Sequence, residues 1–571
     1  AKQATINTGE VIFQPYRTTA GQEYKRYTAV FVISNDTHNP TEDVAYNGAT
    51  GKIKNYTMNA VGFVIDPVST RKVYMVNRGD FEFYGESSAG IYVKRLSDIN
   101  LQTVTKGFAF NAATNKVTGG SFKPIKIFGD KSIGYYNIPS NGSSTTTGNF
   151  AVDIGAAGKG NVAFSTAAVS NQTAGKSITN LNINPTNGKN TNIEGSFGIL
   201  SNIGINLTSH QIRIYDKTEK NVGVYPNANV LLNIGGGNIE LNGGTGKTSK
   251  DNIGIYVNKQ GAVKSTGDIS VNGGVGNLAI FAVGGSLPTG VTNQVEAGEV
   301  KGTNTKNSVL VYGSDGAKIN ITKGMTVSGA GVESDASTTN KKDTGAAFAT
   351  GAGTVITMNK AAKATTPNIQ ITGTKLKDAD RYVGFGLMAQ NGGVINAKNN
   401  YIKVTNGSTA VASVGANSNV DMNGGTVEYK GNGYALYAAN GGQIDMRNAK
   451  LILDGNAVGY EKDFSITPFP IKTSGMTIHV KSSNVTIMNI RNATTPLNLS
   501  TLATTLNGWA GLSTTPTYDK GAANYRMAAI DGLSAYNIDQ DLDRKAVANG
   551  TASANANTFV RNLAVQKAKV N

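Results

Sequence analysis

The stretch ALYAANGGQIDMRNAKLILDGN, residues 435–456, decides the fold. Leu436 and Ala438 alternate with other residues, and a Gly/Asn turn follows. Ile444 then stands alone between polar neighbours, a second turn follows, and Leu451 and Leu453 alternate again. Alternation of period two marks a strand with one buried face. The same layout recurs in GIYVNKQGAVKSTGDISVNGG (254–274), GLMAQNGGVINAKNNYIKVTNG (386–407) and VASVGANSNVDMNGGTVEYKGNG (411–433). The inward pairs of the first strand read as Ile255/Val257, Leu387/Ala389, Ala412/Val414 and Leu436/Ala438. The second strand places Val263, Ile395, Val420 and Ile444 inward. The third places Ile269/Val271, Ile402/Val404, Val427/Tyr429 and Leu451/Leu453 inward.

Three strands per unit and a step of 25 then 24 residues between Leu387, Ala412 and Leu436 predict an all-β solenoid, a parallel β-helix. One such coil cannot bury its apolar face alone, but a stack of them buries a continuous column. The first-strand phase continues at Val224, Ile255, Ile280, Val311 and Phe348, where longer steps read as a coil plus an insertion. Corners carry Asn242-Gly243, Asn272-Gly273, Asn391-Gly392, Asn423-Gly424 and Asn440-Gly441, residues that tolerate the positive φ of sharp turns. The expected organisation is an N-terminal cap or connecting segment at 1–60, the β-helix at 61–500, and a junction with a helical hairpin at 501–571. The hairpin rests on helix-period apolar residues Met527, Ile530, Leu533 and Ile538, then Phe559, Leu563 and Val565. Trp509 reads as an anchor of that junction.

Composition bounds the function. The chain has 571 residues, 70 of them Gly, and only 16% charged residues. Its net charge of +16 comes from scattered lysines and not from a run. No nucleic-acid-binding motif accompanies that charge, so no nucleic-acid partner is expected. No apolar run is long enough for a membrane-spanning helix. The start, AKQATINTGE, is not a signal peptide. Cysteine is absent, which suits a chain that crosses an outer membrane unfolded and excludes thiolate zinc sites.

Catalytic constellations are missing from the sequence. His38, His210 and His479 stand apart and read as surface or corner residues, and no nucleophile elbow or phosphate loop is present. Asp421 and Asp445 occupy the same position of adjacent coils and should stack about 5 Å apart, facing solvent. Such a pair could hold a cation or act on glycosides. Nearby Lys403, Lys430, Lys450 and Arg447 favour plain charge balance. No catalytic residue, metal or cofactor is therefore expected. The candidate binding residues are aromatic and basic. Tyr16, Arg17, Tyr24, Lys25, Arg26 and Tyr27 cluster near the N-terminus, and Tyr434, Tyr437 and Tyr460 recur near one corner. Such side chains are enriched at interfaces, although the N-terminal set could equally seal the solenoid end. The insertion at 331–346 and the segment after 521 are further candidates, because loops on rigid scaffolds carry recognition.

The Gly/Asn-cornered coils, of which NGGQIDMRNAKLILDGN is typical, and the lack of cysteine resemble autotransporter passenger domains. The Asn/Lys/Tyr-rich flavour is similar to the large fusobacterial outer-membrane adhesins. The resemblance is carried by 200–500 and extends more weakly over 60–200. It implies a right-handed β-helix displayed on the bacterial cell surface by type V secretion, anchored only through a barrel that this stretch does not contain. It implies a monomeric adhesin whose partners are surface proteins or glycans of other bacteria or host cells. Two alternatives remain open on the residues: a structural stalk, and a polysaccharide-processing β-helix enzyme.

Overall fold

The computed structural model describes residues 2–14, 28–33, 42–65, 72–93, 98–102, 110–111, 116–117, 123–137, 146–149, 151–155, 159–166, 177–183, 193–244, 249–339, 343–492, 502–512, 515–523 and 525–530. The chain is an all-β parallel β-solenoid with one short helix near the C-terminus. It divides into two compact units, Ala1–Lys301 and Gly302–Asn571. None of the described helices is long and apolar enough to cross a membrane.

In the second unit each coil runs through three strands, and each strand pairs with its counterpart in the next coil. One face stacks Phe385–Gln390, Thr409–Val414, Tyr434–Ala439, Val458–Asp463 and Thr486–Arg491 in parallel. A second stacks Val394–Asn396, Asn419–Asp421 and Gln443–Asp445. The third stacks Tyr401–Thr405, Thr426–Gly431, Lys450–Gly455 and Thr477–Val480. The expected inward residues of the second and third strands hold. Ile395, Val420 and Ile444 are in register and fully buried, as are Ile402, Val427 and Leu451.

The first strand corrects three expected positions. Leu387 pairs with Val411, which pairs with Leu436, so Val411 and Ser413 face inward and Ala412 and Val414 do not. Val311 pairs with Ala347, so Phe348 faces outward beside Tyr312. A slip of one residue turns a strand over. VASV at 411–414 and AAFA at 346–349 have apolar residues on both faces, so alternation alone cannot choose the phase.

The first unit begins its coils earlier than the cap reading allows. Lys2–Asn7 pairs with Glu42–Asn47, Glu10–Phe13 with Lys52–Asn55, and Thr28–Ile33 with Ala60–Ile65, all in parallel. Further on, Leu231–Gly244 is one long strand that serves two faces: Leu232 pairs with Ile205, and Ile239 with Ile212. A β-irregularity between the two parts lets it turn the corner; Gly235 sits there at φ +66, and Gly237 follows at φ +113. A Cβ on Gly237 would lie 1.7 Å from the His210 carbonyl oxygen.

The corner before the first face of this unit is built from buried Asn and Ser. The backbone N–H of Ser132 donates to Asn161 Oδ1 at 2.7 Å, that of Asn161 to Ser196 Oγ at 3.2 Å, and that of Ser196 to Asn221 Oδ1 at 2.8 Å. Asn221 N–H donates to Asn252 Oδ1 at 3.0 Å, and Asn252 N–H to Asn277 Oδ1 at 3.0 Å. Each side chain thus caps the backbone of the preceding coil. Asn252→Ala removes the acceptor and leaves Asn221 N–H buried without it, a loss of about 1–3 kcal/mol. The expected outcome is a lower urea midpoint, with faster hydrogen exchange at Asn221 than at Leu451 in the other unit. Unchanged exchange at Asn221 would rule out the capping role.

Candidate recognition surface

The outward positions of the solenoid repeat as closely as the inward ones. Tyr225, Tyr256 and Phe281 stack along one face with ring centroids 5.3 and 5.2 Å apart. Tyr56, Tyr84 and Phe128 stack at 4.7 Å per step. In the second unit Tyr312 stacks on Phe348 at 5.2 Å. In such ladders the ring faces are covered by each other and only the edges meet solvent. The aromatic surface therefore stabilises the coil stack, by about 0.5–1.5 kcal/mol per contact beyond burial, and offers no platform for a flat ligand.

The tyrosine corner does not hold together as a site. Tyr434 and Tyr437 are neighbours, 5.7 Å between ring centroids, and Tyr437 is exposed. Tyr460 is fully buried, and its hydroxyl donates to the Ala510 carbonyl at 2.9 Å. It lies under the helix Leu502–Ala510, which closes over this coil. Trp509 anchors that closure, packing edge-on to Phe464 at 4.9 Å, while Lys462 Nζ donates to the Trp509 carbonyl at 2.7 Å. Arg526–Ile530, expected to open the helical hairpin, is instead a strand paired with Thr486–Arg491. The rest of the expected hairpin falls outside the described residues, as do Tyr16, Arg17, Tyr24, Lys25, Arg26 and Tyr27.

Asp421 and Asp445 are in register, as expected. The ladder continues from Asn396 through both to Lys472. Solvent exposure, however, is corrected for Asp445, which is 4% exposed. Arg447 folds back over it, with Nη2 2.6 Å from Oδ2. Burial raises the Asp445 pKa, but the Arg447 hydrogen bonds outweigh it and hold the carboxyl below its ordinary value. Asp421 pairs with Lys398 at 3.5 Å. Both carboxylates are committed to cations, and among the described residues no group of three or more His, Asp or Glu could hold a metal.

Two histidines have structural settings that their sequence context did not reveal. His210 is buried rather than at the surface; its Nδ1 meets the Ile234 carbonyl at 2.9 Å, and desolvation lowers its pKa. His479 bridges Thr517 Oγ1 and Asp519 Oδ1, each at 2.8 Å, tying the strand Thr517–Tyr518 to the third face.

The feature that departs most from the coil is a small lobe on the second unit. Two insertions from neighbouring coils form it. Thr374–Lys375 and Tyr382–Val383 make an antiparallel hairpin, unlike the parallel pairing around them. The segment 332–339 lies against it. Val332, Ala336, Leu376 and Val383 form a separate apolar cluster between the two. Lys377 N–H donates to the Ala336 carbonyl at 3.1 Å, and Thr338 N–H to Asp378 at 2.7 Å. Asp343 accepts from Gly384 N–H at 3.0 Å and pins the base. Asp335, Lys375, Lys377, Asp378, Asp380 and Arg381 are exposed on it. The 331–346 insertion was legible in the sequence; its partner at 373–384 was not, because TKLKDADRYV carries no turn pair of the Asn-Gly kind.

Glu428 gives this unit a pH dependence. It is buried, with Tyr401 OH at 2.6 Å, Lys481 Nζ at 2.9 Å and Lys403 Nζ at 3.4 Å. Burial alone would raise its pKa, but the Tyr401 and Lys481 hydrogen bonds with the lysine charges bring it below its ordinary value. A carboxyl whose folded pKa is depressed stabilises fully above its unfolded pKa, and that stability is lost as pH falls through the folded value. The urea midpoint of the second unit should therefore drop below about pH 4.3, the free glutamate value. Glu428→Gln should flatten that part of the profile; an unaltered slope would assign it to other carboxyls. The chain matches no protein-family model, no curated protein and no solved structure, so its functional reading rests on this geometry.

Proposed function

We propose that the chain is a segment of the passenger of a bacterial surface autotransporter, and that it attaches the cell to surface proteins or glycans of other bacteria or host cells. Binding, not turnover, is the proposed activity. The observation that carries it is the lobe built from 332–339 and 373–384. A stack of coils is complete without those insertions, and a spacer has no need of them. Here two of them share their own apolar cluster and display an exposed set of both charge signs. Loops held by a rigid scaffold are where recognition concentrates. The Gly/Asn-cornered repeats and the absence of cysteine support the passenger reading. The commitment of Asp421 and Asp445 to Lys398 and Arg447 speaks against the polysaccharide-processing alternative.

Leu376→Asp places a charge in the lobe cluster and leaves the coil core untouched. The expected outcome is a protein with unchanged far-UV circular dichroism whose attachment to partner cells falls about tenfold or more, the equivalent of one lost anchor residue. Full attachment by a lobe that hydrogen exchange shows to be open would remove the lobe as the contact and favour the stalk.

A further inference from the structure

A second departure from the plain coil lies in the first unit. The loop Leu287–Gln294 rises beside the second face and encloses a cleft of about 520 Å³, continued by a smaller one of about 150 Å³. Its volume falls in the range of small-molecule sites. The floor is an outward ladder in register: Asn206, Asn233, Lys264 and Glu296. Pro288 and Val291 supply an apolar wall, with Thr289 beside them.

Three properties select the ligand. The first is charge. Lys264 and Glu296 are the charged residues of the lining, and they pair with each other at 3.2 Å. The cleft therefore offers no net charge to an anion or a cation. The second is the floor. Asn233 Nδ2 donates to Asn206 Oδ1 at 2.8 Å, which fixes the orientation of both amides. That leaves Asn206 Nδ2 as donor and Asn233 Oδ1 as acceptor, one coil apart, about 4.8 Å. Paired donors and acceptors beside aliphatic surface match the hydroxyls and C–H faces of a sugar. The third is the backbone. The floor strands at Asn233 and Lys264 are paired with coils on both sides, so no open edge exists there for an extended peptide to join.

The wall is held in place before any ligand arrives. Val291 N–H donates to the Pro288 carbonyl at 3.1 Å, and Gln294 Nε2, itself buried, to the Gly285 carbonyl at 3.4 Å. Asn229 Nδ2 reaches the Leu287 carbonyl at 3.4 Å. A preformed wall lowers the ordering cost of binding.

We infer that this cleft binds a short neutral oligosaccharide through Asn206 and Asn233, with Val291 and Pro288 covering its apolar face. The inference deepens the adhesive reading and rests on it. The test uses the full chain and short neutral hexose and N-acetylhexosamine oligomers, followed by saturation-transfer NMR and calorimetry. Sialylated and sulfated forms and an unrelated peptide library run alongside. The expected result is binding of a neutral oligomer that weakens about tenfold or more in the Asn206→Ala/Asn233→Ala double variant and in Val291→Trp, which fills the cleft from an exposed loop. Tyr437→Ser, in the other unit, should bind normally. If the double variant unfolds, Val291→Trp decides. Binding that survives both changes, a preference for the anionic forms, capture of a peptide in the cleft, or no neutral oligomer bound at all would each overturn the assignment. The two readings fail separately: sugar binding without cell attachment sinks adhesion alone, and attachment without sugar binding sinks the cleft alone.

Discussion

The constraint on which the first unit depends is the buried corner N–H. A coil that turns from one face to the next must interrupt its ladder of backbone hydrogen bonds, and an amide buried there without an acceptor is costly. The chain meets this with a side chain from the next coil. Asn161, Ser196, Asn221, Asn252 and Asn277 all stand one residue before a first-face strand, fully buried, each oxygen accepting from the corner of the coil before it. Asn252 adds donors to Thr218 and Ser249 on the same turn. No coil can satisfy its own corner. This makes stacking obligatory in a second sense, beyond the shared apolar column.

The same repetition that stabilises the stack also limits what its faces can do. When like residues sit above one another about 4.8 Å apart, they satisfy each other. The Tyr225–Tyr256–Phe281 ladder covers its own ring faces, and Asn233 donates to Asn206 of the coil before it. The Glu428 carboxylate is held between Lys403 and Lys481 of neighbouring coils. Much of a regular face is thus taken up by contacts between coils. Two departures from the register are the hairpin-bearing lobe near Leu376 and the loop that turns part of the Asn206–Asn233 ladder into the floor of a cleft.

How much of this was legible in the sequence follows from which residues had only one possible reading. Third-face pairs such as Ile402/Val404 and Ile269/Val271 are large apolar residues flanked by polar ones, and their inward phase was unambiguous. So were the corners at Asn391-Gly392 and Asn440-Gly441, which do adopt positive φ. Where small apolar residues filled both faces, at 346–349 and 411–414, the phase was lost. Tyr460 looked like Tyr434, but the register pairs Tyr434 with Val458 and so puts Tyr460 in line with the inward Leu436, where its hydroxyl meets the Ala510 carbonyl. The Asn/Ser corner ladder was present as a residue just before each first-face strand, but a turn preference and a capping role leave the same mark in a single sequence. The cleft had a trace too, the long step from Ile280 to Val311, without any sign of what the extra residues would enclose.

A solenoid can carry such insertions because of where they attach. The strands on either side of a corner are fixed by pairing with the coils above and below, so the ends of an added loop are held at a set distance whatever its length. The entropy of closing a longer loop grows only with the logarithm of its length, about 0.6 kcal/mol per doubling. A few new contacts offset that: the Val332–Leu376 cluster in the lobe, the Pro288–Val291 turn and the Gln294 amide in the cleft wall. Loss of those contacts opens the insertion without disturbing the capped corners beneath it. The buried Asn and Ser at the corners of the first unit thus hold its stack, while the proposed recognition falls to the insertions and the outward groups beside them.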